Sequence, residues 1–361
     1  MVYKVIGLMS GSSHDGLDIA YVQLEETRGQ WKYELLATDC APYTADWQQR
    51  LKQADQLSVP DFLRLHTAYG HYIGEQVAAF MLRHDLAHKV HFIASHGHTV
   101  FHDPAEQTTF QVGDGAAIAA KLALPVISDL RAMDIALGGQ GAPIVPIGDQ
   151  LLFGDYDYLL NLGGIANISV KQQQGQYLAF DICPCNQLLD FFAGKNGLAY
   201  DAGGQLAGEG TVFPAIVSDL NGLSYYQRPT PKSLSNDFST REALPLLEAY
   251  EPSVPDALAT CTAHITQQIA LAIQPFHAAG TTAILLATGG GALNTFLITK
   301  LQELLAPQGI TVVVPDEQVI QYKEALVMAL IGALRWREEV NVFSSVTGAT
   351  QDSVGGALWM R

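Results

Sequence analysis

Residues 5–22 read VIGLMSGSSHDGLDIAYV and residues 156–170 read YDYLLNLGGIANISV. Each is an apolar run, a turn of small Gly-containing residues, and a second apolar run, the pattern of a strand, a tight turn and a returning strand. Identity between the two stretches is weak, but the elements after each come in a shared order, and that order decides the fold. After the first comes a third strand at YELLATDC, then a stretch in which Phe62, Leu65, Tyr69, Tyr72, Ile73, Val77, Phe80 and Met81 recur at helical spacing. HFIASHG, TFQVGDG and PVISDL read as short buried strands, with a helical AAIAAKLA between the last two. After the second stretch come a strand at QYLAFDI, a helix at NQLLDFFAG, and strands at AILLATGGG and ITVVVPD. The repeated order indicates an internal duplication in an α/β protein, with mixed sheets flanked by helices.

The segment RAMDIALGGQGAPIVPIGD (131–149), rich in Gly and Pro, is the expected crossing between the halves. The span 203–255 reads as helices and loops inserted in the second lobe, and KEALVMALIGALRWREE (323–339) as a helix buried on much of its circumference. The expected lobes are residues 1–131 with 342–361, and residues 132–341.

A chain of 361 residues suits two lobes of ordinary size. No segment approaches the roughly 18 uninterrupted apolar residues of a membrane span. MVYKVIGLMSG lacks the pattern of a secretory signal, and four cysteines in so long a chain are no disulfide framework, so a reducing cytoplasm is expected. The net charge of -16, with no basic cluster, disfavours nucleic acid as a partner. A phosphate ligand must then be held locally, by backbone amides and a cation.

Several segments carry candidate chemistry. In MSGSSHDGLD, Gly11 and Gly16 allow close backbone approach, Ser12 and Ser13 offer hydroxyls, and Asp15 and Asp18 can reach a cation. The segment reads either as a phosphate cradle or as an ordinary hairpin loop. NLGGIAN (161–167) and ATGGGALN (287–294) are two more Gly-rich turns after apolar strands. Three such turns in a duplicated sheet suggest a nucleotide lying across a cleft, although each alone could serve tight packing. SHGHTVFHD brings His96, His98 and His102 to a spacing open to zinc binding, substrate contact or structural hydrogen bonding.

LAFDICPCNQLLD (178–190) ends an apolar strand on Asp181. A zinc site on Cys183 and Cys185 would need two more ligands, and Cys40 and Cys261 stand alone. A redox pair would more often be spaced C-x-x-C. Asp181 at the end of a buried strand is placed to act as a general base, or else caps the turn. Asn186 can cap a helix whose apolar face is Leu188, Leu189 and Phe192.

Taken together, GLMSGSSHDGLD, ASHGHTVFH, FQVGDG, ISDLRAMDIALGGQGAPIVP, NLGGIANIS, AFDICPCN, ATGGGALN and YKEALVMALIGAL resemble the anhydro-N-acetylmuramic acid kinase family from Val5 to the last helix. The resemblance implies a duplicated actin-like ATPase fold (ribonuclease H-like) of the sugar kinase and heat-shock-protein superfamily, with sugar and ATP in the cleft between two lobes. It implies a kinase that uses ATP, Mg²⁺ and water to open 1,6-anhydro-N-acetylmuramic acid and phosphorylate its 6-oxygen, in cytoplasmic recycling of cell-wall sugars. Asp181 would be the catalytic base. Gly11, Ser12, Ser13, His14, Asp15, Gly16, Leu17 and Asp18 would form one phosphate segment, Gly163, Gly164 and Asn167 a second, and Gly289, Gly290, Gly291 and Asn294 the adenosine segment. His96, His98, Asp114, Arg131, Asn186 and Glu324 would contact the sugar. Arg131 and the span Arg228 to Arg241 are candidates for an anionic group on it. A homodimer is compatible with this reading; membrane and nucleic-acid partners are not expected.

The chain departs from the family pattern in three places. Ser12 stands for Thr, His98 for Gln in S-H-G-Q-T, and DICPCN replaces D-T-G-P-G-N, so that Ile182, Cys183 and Cys185 stand for Thr and two glycines. The last two changes raise the question of which anhydrosugar fits, and a kinase for another, such as levoglucosan, is the alternative. A non-catalytic ATP-binding module on the same fold is a third reading, disfavoured by the retained Asp181.

Overall fold

The computed structural model describes residues 1–11, 14–172, 177–235 and 237–360. Its strands are β1 (Val2–Ser10), β2 (Gly16–Thr27), β3 (Gln30–Pro42), β4 (Phe92–Asp103), β5 (Thr108–Val112), β6 (Val126–Ser128), β7 (Tyr158–Leu162), β8 (Ile165–Lys171), β9 (Tyr177–Pro184), β10 (Ala283–Thr288), β11 (Ile310–Val313) and β12 (Ala357–Trp359). Met1–Phe153 with Tyr322–Arg361 form one compact unit and Gly154–Gln321 the other. These bounds differ from the expected 131/132 and 341/342. Residues 131–149 are held inside the first unit by the buried Asp134, whose carboxylate accepts from the Gly141 amide at 2.7 Å and the Thr347 hydroxyl at 2.6 Å.

In the first unit the sheet order is β12-β6-β4-β1-β2-β3, with β5 paired to β4. β1, β2 and β3 are antiparallel neighbours, and β4 and β6 extend the sheet in parallel from β1. The second unit repeats this arrangement as β11-β10-β7-β8-β9, with β7, β8 and β9 antiparallel and β10 and β11 parallel to β7. A five-strand path traced twice in the same order and sense is the duplicated actin-like, ribonuclease H-like fold. The structure therefore bears out both the duplication and the fold class read from the sequence.

Each unit has its own core. In the first, the helix Val59–Arg83 is capped by Ser58 and buries Leu65, Tyr69, Ile73, Val77 and Phe80 against β-strand residues such as Ile6, Ile19 and Ile93. The helix Glu317–Trp336 is almost wholly buried from Ala325 to Leu334. Gly7 permits that packing, since a Cβ there would collide with the Ala325 carbonyl oxygen. In the second unit, the helix Val254–Ile273 buries Leu258, Cys261, Ile265 and Ile269 beneath the sheet. Among the described residues no helix is long and apolar enough to cross a membrane.

Candidate active site

In the first unit, the turn after β1 carries the expected phosphate segment; Ser12 and Ser13 lie outside the described residues. Asp15 Oδ1 accepts from the Gly16 amide at 2.9 Å, and a Cβ on Gly16 would stand 2.5 Å from Cys40 Sγ. Leu17 is a core residue, so only its backbone can serve a ligand. The half-buried Asp18 has its pKa pushed up to about 6, mainly by burial; a hydrogen bond with Cys40 opposes this, and Asp15 and Glu324 reinforce it. Burial likewise raises the Glu324 carboxyl, with Arg131 and Lys323 pulling it down.

Arg131 is anchored rather than free. Its Nε donates to His96 Nε2 at 2.8 Å and its guanidinium to the Gly141 carbonyl at 2.5 Å, and burial lowers its pKa to about 10. Because Nε2 of His96 accepts that bond, Nδ1 carries the proton and donates to Gly97 O at 2.8 Å. Both ring nitrogens are thus engaged, and His96 serves to hold Arg131. Burial and Arg131 keep the ring neutral, with its pKa down at about 3.

His98 lies 3.0 Å from the Ser10 hydroxyl through Nδ1, and Ser10 in turn meets Tyr43 at 2.7 Å. Its ring stands 4.8 Å from that of His14, and burial followed by His14 holds its pKa near 4. His102 faces Thr109, at 3.1 Å. Among the described residues no group of three or more His, Cys, Asp or Glu is arranged to hold a metal ion. Asp114 caps the helix Gly115–Leu122, accepting from the amides of Ala116 and Ala117, so its carboxylate has a structural partner.

In the second unit the site is built around a break in register between β8 and β9. Ala166 pairs with Cys183 and Asn167 with Asp181, leaving Ile182 as an extra residue, a β-bulge. The bulge sends Ile182 and Cys183 into the core while Asp181 stays half-buried, paired with Asn167. Three bonds then fix Asp181. Its amide donates to Lys232 O at 3.0 Å, its carbonyl accepts from Tyr225 OH at 2.7 Å, and Oδ2 accepts from the Leu234 amide at 2.8 Å. Oδ1 has no partner among the described residues. Burial raises the Asp181 pKa, with the Leu234 amide opposing. The cysteines are fully buried and unpaired, their thiols pushed up by burial.

The helix Asn186–Lys195 begins with its amides tied to the β7–β8 turn: Cys185 and Gln187 donate to Gly164 O, and Asn186 to Gly163 O. Asn186 is the first helical residue rather than the cap, which corrects the reading of it as a helix cap; its Nδ2 donates to Leu162 O at 3.1 Å. Gly289, at φ +80, passes so close that a Cβ would stand 2.5 Å from Asn161 Oδ1, and one on Gly291 would stand 3.0 Å from Asn186 Oδ1. Three segments far apart in sequence therefore converge in this unit, with Gly164 and Gly290 exposed. Asn294 caps the helix Thr295–Leu305, and Gly204 packs against its side chain.

Reading the sequence missed Tyr225, the Leu234 amide, and the Gly203–Gly204 pair, both at positive φ. The Gly pair was the one visible signal; nothing local marks Tyr225 or Leu234 as neighbours of Asp181.

The family model of anhydro-N-acetylmuramic acid kinase matches residues 3–361. An anhydro-N-acetylmuramic acid kinase of Rhodopseudomonas palustris is 35% identical over 327 residues, 86% of each chain. One from Vibrio cholerae is 33% identical, covering 98% of this chain and 97% of that one, and one from Azorhizobium caulinodans is 34% identical over 99% of both. Among solved structures, the (R)-2-hydroxyglutaryl-CoA dehydratase component A of Acidaminococcus fermentans aligns over 91% of this chain at 15% identity, with a TM-score of 0.45. The chain belongs to the anhydro-N-acetylmuramic acid kinase family.

Proposed function

We propose that this member of the family is a phosphotransferase that uses ATP and water to convert 1,6-anhydro-N-acetylmuramic acid to N-acetylmuramic acid 6-phosphate. The observation that carries the reading is Asp181: a half-buried carboxylate at a bulged strand end, with Oδ2 held by an amide and Oδ1 open. Asp181 takes a proton from water as the water oxygen bonds to the anomeric carbon. The bond from that carbon to the 6-oxygen breaks, and the 6-oxygen takes the γ-phosphoryl group as ADP leaves. Alignment and charge stabilisation are what the chain must supply to the transfer.

The phosphate segments are Gly11 to Asp18 and Gly163, Gly164 and Asn167, with Gly289, Gly290, Gly291 and Asn294 beside the adenosine. The donor set fits a hard cation held largely by phosphate and water: Asp15 and Asp18 lie together, and a cation would offset the burial and, secondarily, the Asp15 charge that raise Asp18. Mg²⁺ there would neutralise charge on the phosphates. His98, Arg131 and Glu324 are the sugar contacts, with His96 acting through Arg131. Free thiols accord with a cytoplasmic location.

Ile182, Cys183 and Cys185 fill the core of the second unit. These three side chains face the core and not the sugar, whereas His98, another departure, stands among the proposed sugar contacts and keeps levoglucosan as the alternative substrate. ADP release measured over a panel of anhydrosugars tests the assignment: turnover on anhydromuramic acid supports it, and turnover on levoglucosan alone defeats the substrate while sparing the mechanism.

A further inference from the structure

The three bonds that fix Asp181 all come from the stretch Tyr225 to Leu234, of which residues 228–235 belong to no helix or strand. A segment without backbone pairing of its own keeps its shape through side chains. Lys232 supplies one from within. Its carbonyl accepts from the Asp181 amide, and its Nζ turns back on the short helix Ser224–Gln227, donating to the carbonyls of Tyr225 and Tyr226, each at 3.4 Å. The ammonium also stands 4.6 Å from the centre of the Tyr225 ring and 5.9 Å from that of Tyr226. These contacts close a circuit, because the Tyr225 hydroxyl returns to the Asp181 carbonyl.

Tyr226 anchors the circuit to a rigid element. Asn221 Oδ1 accepts from His264 Nδ1 at 2.7 Å and from Gln268 Nε2 at 2.8 Å, so His264 Nε2 is left to accept from the Tyr226 hydroxyl at 2.9 Å. His264 and Gln268 are both buried on the helix Val254–Ile273. The Lys232 charge itself faces carbonyl oxygens and two rings, and burial followed by the neighbouring Arg228 lowers its pKa. A neutral side chain would fill the same space with less desolvation, so the cation serves more than packing. The Asp181 pKa answers to burial and to the Leu234 amide, which puts the influence of Lys232 in the loop it holds.

We propose that Lys232 is a positioning residue for the reaction: its ammonium locks the segment that presents the Leu234 amide and the Tyr225 hydroxyl to Asp181, and thereby aims the base. The proposal rests on the function proposed above, with Asp181 as the base.

The experiment measures kcat, KM and the pH profile with ATP, Mg²⁺ and 1,6-anhydro-N-acetylmuramic acid for the wild type, Lys232→Met, Lys232→Arg and Asp181→Asn, with thermal unfolding to check that each is folded. For Lys232→Met, kcat should fall at least about tenfold while KM stays within about threefold. The acid limb should move to higher pH, because the amide that lowers the Asp181 pKa is no longer held in place. Lys232→Arg keeps a cation that donates to carbonyls and lies over an aromatic ring, so it should restore most of kcat and return the limb. Lys232→Gln replaces the Met variant if that one does not fold, with the same expected result. Unchanged kcat and acid limb in the folded neutral variant overturn the proposal alone. A loss confined to KM also overturns it, by making Lys232 a charge contact for the substrate. An inactive wild type overturns the proposed function, and a fully active Asp181→Asn removes the base; either defeats the proposal together with that reading.

Discussion

The amide of Leu234 donates to Oδ2 of Asp181 at 2.8 Å, so a residue of the inserted region, 53 positions away, fixes the orientation of the carboxylate. A base held by one oxygen presents the other in a set direction. Asp181→Asn keeps the shape and removes the base. Turnover should fall by about 10²- to 10⁴-fold, the usual worth of a positioned base, with nucleotide affinity unchanged by calorimetry. Unchanged turnover would remove Asp181 from the role.

Tyr225 holds the same residue from its main-chain side, through the 2.7 Å bond to the Asp181 carbonyl. Tyr225→Phe removes one hydrogen bond, worth about 1 kcal/mol. A positioning residue should affect kcat while leaving KM in place, so kcat should fall several-fold and the acid limb of the pH profile should move. A loss confined to thermal stability would make Tyr225 merely structural.

Burial raises the Asp181 pKa, and a base works only when ionised. The acid limb of kcat/KM should therefore lie above the ordinary aspartate range. Asp18 affects stability with a sign of its own. The folded chain keeps its proton up to about pH 6, whereas the unfolded chain releases it near the ordinary aspartate value of 3.8. Stability from this residue is greatest below the unfolded value and declines as pH rises through the folded one. Asp18→Asn should raise stability at pH 7 by on the order of 2 kcal/mol and leave it unchanged at about pH 3.5, as read by denaturant unfolding at the two pH values.

The two histidines of β4 run in the opposite sense. His96 and His98 are held neutral, with pKa values near 3 and 4, while the unfolded chain takes up protons near 6.5. Stability is lost as pH falls below that value, and His96→Gln should flatten the acid side of the unfolding curve.

Cys183 and Cys185 are fully buried among Leu188, Phe192 and Ile265. Replacing both with Ser should leave activity within about tenfold, or about 1.4 kcal/mol of barrier. The cost should appear in stability, at about 1–3 kcal/mol for each hydroxyl left unpaired in the core. Abolished turnover in a folded protein would put the thiols in the chemistry.

Much of this architecture was legible because it is local. Apolar runs and turn residues mark β1, β2, β3 and β7 to β11, and the spacing of Leu65, Tyr69, Ile73 and Val77 marks the helix Val59–Arg83. Register is set by pairing across strands, so the bulge at Ile182, which separates Asp181 from the buried cysteines, has no local signature. Asn186 obeys the same logic: it looks like a cap, but the β7–β8 turn supplies the carbonyls for the helix amides and draws its side chain to Leu162. The segment 131–149 is marked by its Gly and Pro content as a crossing between the halves. Its Asp134 instead finds Thr347, 213 positions away, and that long-range bond ties it into the first unit.

The most direct test of the central claim is to incubate the protein with ATP, Mg²⁺ and 1,6-anhydro-N-acetylmuramic acid and monitor ADP release and product mass together. The account predicts one ADP for each sugar consumed, and a product heavier by one phosphoryl group and one water. ADP formed without any change in the sugar, or a product heavier by a phosphoryl group alone with its anhydro bond intact, would contradict it.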